Sequence, residues 1–167
     1  MKSFYKIITY LLLPPAILYS MMVLILIAAA LANPAMLLPL FMLVCVAIYS
    51  FMSFYFLMKG IDGGNKLTHT TKDWIKVNAI VTGLFAFLIL GQSVYFISNP
   101  KMLQTVAEQA MQQQKDAVVF TKPQLEQYMT IVLYVFLAHG ILLLSHIPVT
   151  LRLLKENAHL FEEGEAK

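Results

Sequence analysis

Residues 21–27 read MMVLILI, and they lie inside an apolar stretch that runs from about 7 to 32. The letters do not alternate between apolar and polar, as the strands of a membrane β-barrel would. A stretch of more than about 20 apolar residues is long enough to cross a bilayer as a helix. Because a segment in lipid must satisfy its own backbone, this stretch predicts a transmembrane helix.

Three further stretches have the same character, at about 35–58, 75–97 and 124–150. The composition agrees, since 59% of the 167 residues are hydrophobic and 13% are charged, whereas soluble domains have about 25% charged residues. We therefore predict one membrane domain over residues 1–167, an all-α, polytopic bundle of four transmembrane helices. The first stretch also resembles a signal peptide, but its apolar run is about twice the usual length, so we expect it to be retained.

The lysine and arginine residues are distributed unevenly among the connections. Three lie between the third and fourth stretches. Nine lie before the first stretch, in the 59–76 connection and helix start, or after the fourth stretch: Lys2, Lys6, Lys59, Lys66, Lys72, Lys76, Arg152, Lys155 and Lys167. The positive-inside rule then predicts that both termini are cytoplasmic. We expect a multi-pass protein of the cell inner membrane, with a cytoplasmic tail at about 151–167.

Two segments outside the four stretches have amphipathic patterns. At about 100–118 we predict an extracytoplasmic helix that carries Leu103, Val106, Ala107 and Ala110 on one face. Beyond Pro148 we predict a cytoplasmic helical extension of the fourth span to about 163, with Leu151, Leu154, Ala158 and Phe161 on one face. Either helix could anchor the protein at the membrane surface or bind a partner.

Local signals mark the ends and contacts of the predicted helices. Asn33-Pro34 and Asn99-Pro100 are typical of helix starts, and Thr121 with Gln124 forms a capping-box pattern. Gly60 suits a helix end. Prolines 14, 15 and 148 predict kinks. The pairs Ala28/Ala32 and Ala79/Gly83 would permit close helix packing.

Acidic side chains are absent from the middle of every predicted span, because Asp73 and Glu126 fall in first turns and the others in connections or the tail. This argues against proton-coupled exporters, rotary-ring subunits and aspartyl intramembrane proteases, which generally need such a group. The ionisable side chains that remain are His139 and His146. They share a helix face but lie about 10.5 Å apart along the axis, too far to bind one metal ion together. We predict no metal and no cofactor.

Span centres placed at equal depth group the polar residues into two layers. One layer contains His139 with Tyr19, Ser20, Cys45, Tyr49 and Ser50. A deeper layer contains Tyr10, Ser53, Asn78, Thr82 and His146. These side chains either form interhelical hydrogen bonds or line a pocket for a quinone, a lipid headgroup or another small amphiphile. The candidate ligand-binding residues are His139, Tyr19, Ser20, Tyr49, Ser50, His146 and Asn78.

No catalytic constellation emerges from these residues, so we predict a non-catalytic integral membrane component. It would be an accessory subunit or scaffold that acts through helix packing and its amphipathic flanking helices. Its expected partners are the lipid bilayer and another membrane protein or a second copy of the chain, and not nucleic acid. One alternative is a small transporter, channel or lipid/quinone-binding bundle that uses the layer around His139. Another is a membrane enzyme acting on a lipid or quinone with His139 or His146 as the base.

Overall fold

The regular structure of the described residues is helical. The computed structural model describes residues 2–113 and 121–161. Its helices are α1 (Lys2–Ala32), α2 (Leu37–Tyr55), α3 (His69–Ser98), α4 (Pro100–Gln113) and α5 (Lys122–Glu156). A 3-10 turn, Pro34–Met36, precedes α2, a π-helix, Phe56–Asp62, continues α2, and a second 3-10 turn, Ala158–Leu160, follows α5.

Four segments are long and apolar enough to cross a membrane by length and composition. They are Lys2–Ala32, Pro34–Asp62, His69–Ser98 and Lys122–Glu156. The prediction of an all-α protein with four helices that could span a membrane is therefore confirmed. Each helix extends several residues beyond the apolar stretch that predicts it, because polar residues continue the helix on at least one side.

The helix starts follow the predicted local chemistry. The side chain of Asn33 accepts a hydrogen bond from the backbone N–H of Ala35 at 3.1 Å, with Pro34 in the first helical position. The side chain of Gln124 accepts from the backbone N–H of Thr121 at 2.9 Å. These contacts satisfy donors that a helix start otherwise leaves unpaired.

Gly60 does not end a helix, and that prediction is wrong. The chain continues through it as the π-helix Phe56–Asp62. A Cβ atom at Gly60 would lie 3.0 Å from Leu67 Cδ1 and 3.1 Å from Phe56 Cδ2, so this glycine allows close packing. The turn comes later, at Gly64, whose φ of 63° is left-handed and favours glycine.

The chain divides into two compact units, and the first contains the described residues up to Phe85 and from Leu142 onwards. At one end of α1, Lys6 pairs with Asp62 at 2.6 Å.

The two predicted pairs of small residues differ in their surroundings. Ala79 is buried, and a Cβ atom on Gly83 would lie 3.7 Å from Ile147 of α5. By contrast, Ala28 and Ala32 are exposed.

The end of the described chain folds back on the first unit. The predicted helix to about 163 is wrong for residues 157–161, because α5 ends at Glu156, and residues 162 and 163 lie outside the described part of the chain. The backbone N–H of Leu67 donates to the carbonyl of Leu160 at 2.7 Å, and the ring of Phe161 stacks on Phe56 with centroids 5.6 Å apart. Leu160 and Phe161 are buried. The fold-back removes both side chains from solvent, which a straight extension of α5 would not do.

The second unit is Ala86–Ile141. Leu103 and Ala107 of α4 are buried, Val106 and Ala110 are half-buried and Gln104 is exposed. Glu108 of α4 pairs with Lys122 at the start of α5, at 2.5 Å. Residues 114–118 of the predicted helix lie outside the described part of the chain.

Close packing of α5 on α3 in the second unit depends on Gly140. A Cβ atom there would lie 2.7 Å from Leu90 Cγ and 3.3 Å from the carbonyl oxygen of Ala86. We expect Gly140→Ala to lower the free energy of unfolding by about 1–3 kcal/mol, the usual cost of overpacking. Unfolding by sodium dodecyl sulfate in mixed micelles, followed by circular dichroism, measures this change.

Gly91→Ala is the matched control, since a Cβ atom there meets nothing within 4 Å. Alanine is the better helix former by about 1 kcal/mol, so this variant should be as stable as the parent or more so. Equal losses of stability in the two variants would contradict the packing role of Gly140.

Candidate functional site

Six polar side chains of the first unit form one buried cluster. Three helices each contribute a pair four residues apart, which places both members on one helix face. The pairs are Tyr5 and Thr9 on α1, Tyr49 and Ser53 on α2, and His146 and Thr150 on α5. We call these residues the His146 cluster. None of the six residues is more than 1% exposed to solvent.

The imidazole of His146 joins the three helices. Its Nε2 lies 2.9 Å from Thr9 Oγ1, and its Nδ1 lies 2.8 Å from the hydroxyl of Tyr49. That hydroxyl also lies 3.0 Å from Thr150 Oγ1. The hydroxyl of Tyr5 donates to the backbone carbonyl of Ser53 at 3.1 Å. A polar contact thus connects α1 to α5, α2 to α5 and α1 to α2.

Aromatic contacts hold the His146 ring on two sides. The ring of Tyr5 stacks on it, with centroids 4.8 Å apart and planes within 6°. The ring of Tyr49 meets it edge-on, with centroids 5.6 Å apart and an interplanar angle of 78°. Such stacked and edge-on arrangements are the favoured ones for aromatic pairs. The orientation of the imidazole is therefore fixed by packing as well as by hydrogen bonds.

A neutral imidazole and the surrounding hydroxyl groups can arrange their hydrogen bonds in two ways. Thr9 Oγ1 lies 2.8 Å from the carbonyl of Tyr5, and each hydroxyl has one hydrogen to donate. If Thr9 donates to that carbonyl, His146 Nε2–H donates to Thr9 and Tyr49 donates to Nδ1. In the reverse arrangement Thr9 donates to Nε2, Nδ1–H donates to Tyr49, and Tyr49 donates to Thr150. Both arrangements engage both ring nitrogens of a neutral histidine.

The cluster therefore acts as a connection between helices. A histidine whose two nitrogens are already bonded can bind a ligand or take a proton only after one of these bonds breaks. Within residues 2–113 and 121–161, no group of three histidine, cysteine or acidic side chains could hold a metal ion. The chemistry that the geometry provides is mutual hydrogen bonding between spans.

The structure brings together two of the predicted site residues, Tyr49 and His146, which the sequence places in different layers. The other polar candidates bond within their own helices: Ser20 donates to the carbonyl of Ala16 at 2.9 Å, Ser50 to Val46 at 2.9 Å and Asn78 to Trp74 at 2.8 Å. Tyr19 is buried, with its ring edge-on to Phe85 at 6.1 Å.

His139 is buried in the second unit. The same unit contains an apolar cavity of about 280 Å³, lined by Leu103 and Val106 of α4 and by residues of α3 and α5. His139 is not among the residues that line this cavity. A ligand site around His139 stays a prediction.

Sequence reasoning misses three members of the cluster: Tyr5, Thr9 and Thr150. Tyr5 lies before the apolar stretch that begins at about 7, so it falls outside the predicted span. A repeated spacing could have identified all three. A residue with a hydroxyl group follows Tyr5, Tyr49 and His146 by four positions in each case, and therefore lies on the same helix face.

The fold and cluster define an all-helical protein with four helices that could span a membrane and with a buried polar cluster that connects three of its helices. No known protein family, curated protein or solved structure matches this chain.

Proposed function

We propose that this protein is a non-catalytic integral membrane component, an accessory subunit or scaffold that acts through its helix faces. The observation that carries the proposal is the engagement of both His146 ring nitrogens by Thr9 and Tyr49. The best-organised polar site in the described residues therefore connects the protein's own helices. The surface that is available for contacts with other molecules is the apolar exterior of the helices.

One face of α1 supports a role in assembly. Its exposed residues recur at spacings of four and three: Ile17, Met21, Leu24, Ala28 and Leu31. This is the spacing of a helix–helix seam, and the small residue at Ala28 permits close approach. Leu24 and Leu31 are 72% and 85% exposed. We assign this face to a membrane-protein partner or to a second copy of the chain.

The proposed topology places the protein in the cell inner membrane with both termini in the cytoplasm. The excess of lysine and arginine on the side of the termini supports this orientation. In this arrangement α4 lies on the extracytoplasmic surface, and the last turns of α5 and the fold-back after it lie on the cytoplasmic side.

The proposal is tested by a photo-crosslinking amino acid at Leu24 in living cells. We expect a discrete protein adduct, and an adduct of about twice 18.9 kDa identifies a second copy. Ile80 of α3, which is 76% exposed, is the matched control and should give lipid adducts only.

His139→Leu separates this function from the alternative of a small transporter, channel or lipid/quinone-binding bundle. Under our proposal the adduct at Leu24 persists in this variant. Failure to form any protein adduct, together with loss of a co-purifying small molecule in His139→Leu, would favour the alternative.

A further inference from the structure

A groove of about 660 Å³ opens on the first unit where α2 passes into the π-helix. Its wall includes the apolar or aromatic side chains of Phe51, Phe54, Tyr55 and Met58. Lys59 and Thr71 also line it. The His146 cluster contributes nothing to this groove, which is therefore a separate feature of the same unit.

The groove changes from apolar to polar along the helix. Along this wall the lining residues begin at Phe51 on α2 and end at Lys59 on the π-helix, about 12 Å apart at the rise of an α-helix. Lys59 lies next to the polar connection between Asp62 and His69, whereas Phe51 lies deeper in an apolar segment. An amphiphile with its head at the connection and its chain along α2 would match this gradient.

The ammonium group at the polar end has no acidic partner among the described residues. In the part of the chain that the structure describes, no carboxylate lies within ion-pair distance of Lys59 Nζ. Three nearby lysines do have partners: Lys6 pairs with Asp62, Lys66 donates to a backbone carbonyl, and Lys72 lies over an aromatic ring. Among the described residues that line the groove, Lys59 carries the positive charge.

Tyr10 of helix α1 contacts two side chains that line the groove. The ring of Tyr10 meets Phe54 edge-on, with centroids 5.7 Å apart, and the Tyr10 hydroxyl donates to the sulfur of Met58 at 3.3 Å. These contacts hold two of the lining side chains in place before any ligand arrives, which lowers the entropy cost of binding.

We propose that this groove binds an anionic phospholipid. One acyl chain lies along Phe51, Tyr55 and Met58, and the phosphate lies near the ammonium of Lys59 and the hydroxyl of Thr71. A bilayer supplies such lipids at the depth where the groove lies, and a net negative headgroup complements the unpaired charge. The inference goes beyond the proposed function and does not depend on a protein partner.

Quenching by brominated lipids tests the proposal, because the chain has a single tryptophan. Trp74→Phe combined with Tyr55→Trp moves the fluorophore into the groove. The protein is reconstituted into phosphatidylcholine vesicles that contain either brominated phosphatidylglycerol or brominated phosphatidylcholine. We expect the brominated anionic lipid to quench more strongly at equal mole fraction. Equal quenching by the two lipids would overturn the proposal.

Lys59→Gln should reduce the preference for the anionic lipid about threefold to fivefold, the effect of removing one charge near a headgroup. Lys59→Arg should retain the preference. Lys76→Gln is the matched control, because Lys76 is an exposed lysine of the same unit that does not line the groove. It should leave the preference unchanged. An equal fall for Lys59→Gln and Lys76→Gln would indicate diffuse attraction to a basic surface and would overturn the proposal.

Discussion

His146→Ala should lower the free energy of unfolding by about 2–4 kcal/mol. The substitution removes a buried ring that stacks on Tyr5 and bonds to Thr9 and Tyr49. It leaves a cavity and takes away one polar partner from each of two helices. Titration with sodium dodecyl sulfate in mixed micelles, followed by circular dichroism, measures the loss.

His69→Ala is the control for this prediction. His69 is an exposed histidine whose side chain contacts Asp73 on the surface of α3, so its removal should leave stability nearly unchanged. If His146→Ala were no more destabilising than His69→Ala, the assignment of the cluster as a connection between helices would be wrong.

A double-mutant cycle isolates one bond of the cluster. His146→Leu and Tyr49→Phe together should cost less than the sum of the two single changes, by about 0.6–1.7 kcal/mol, the range for hydrogen bonds between membrane helices. Strict additivity would mean that the contact between Nδ1 and the Tyr49 hydroxyl contributes nothing.

Phe161→Ala should lower the free energy of unfolding by about 3 kcal/mol, near the lower end for a buried phenylalanine. The ring is buried against Phe56 and also lies under the ammonium of Lys72, 5.5 Å from its centroid. Its loss should release the fold-back from Leu67. The same titration measures stability, and limited proteolysis measures release of the segment after Glu156.

His159→Ala is the control within the fold-back. The side chain of His159 is exposed, and its contact with Lys66 is made by the backbone carbonyl, which the substitution keeps. Stability and proteolysis should therefore match those of the parent. Equal sensitivity of the two variants to protease would contradict the anchoring role of Phe161.

The helical architecture could be predicted from the sequence because it follows from one strong constraint. Runs of about 20 apolar residues in lipid have to be helical, and the four runs in this chain correspond to four of its helices. Local chemistry at Asn33 and at Thr121 with Gln124 identified two helix starts, because side-chain capping acts over only two or three residues.

The wrong predictions concern segments whose packing the local pattern does not contain. Gly60 has the local character of a helix end, but it lies inside the π-helix, where a Cβ atom would crowd Leu67 and Phe56. The residues after Glu156 have a helical pattern, but the ring of Phe161 stacks on Phe56, which lies more than a hundred residues earlier in the chain. Neither contact leaves a trace in the local pattern, so tertiary packing overrides the prediction.

The candidate site could be predicted only in part for a related reason. Tyr49 and His146 were recognisable as polar residues within apolar segments. Placing them in one cluster requires knowledge of how deep α2 and α5 lie relative to each other. That depth is estimated from the centre of each predicted span, and the centre shifts when polar residues extend the helix. Because α1 begins at Lys2, Tyr5 lies on the same helix face as Thr9 and reaches the His146 cluster, which the apolar boundary at about 7 conceals.

The His146 cluster has a consequence for biogenesis. Thr9 and His146 are 137 residues apart, so at about 5–20 residues per second a ribosome makes the imidazole about 7–27 s after the threonine. During that interval Thr9 and Tyr49 lack the imidazole that bonds to both of them. The connection among α1, α2 and α5 can therefore form only after the ribosome has made α5, and a nascent chain that stalls before this point lacks it.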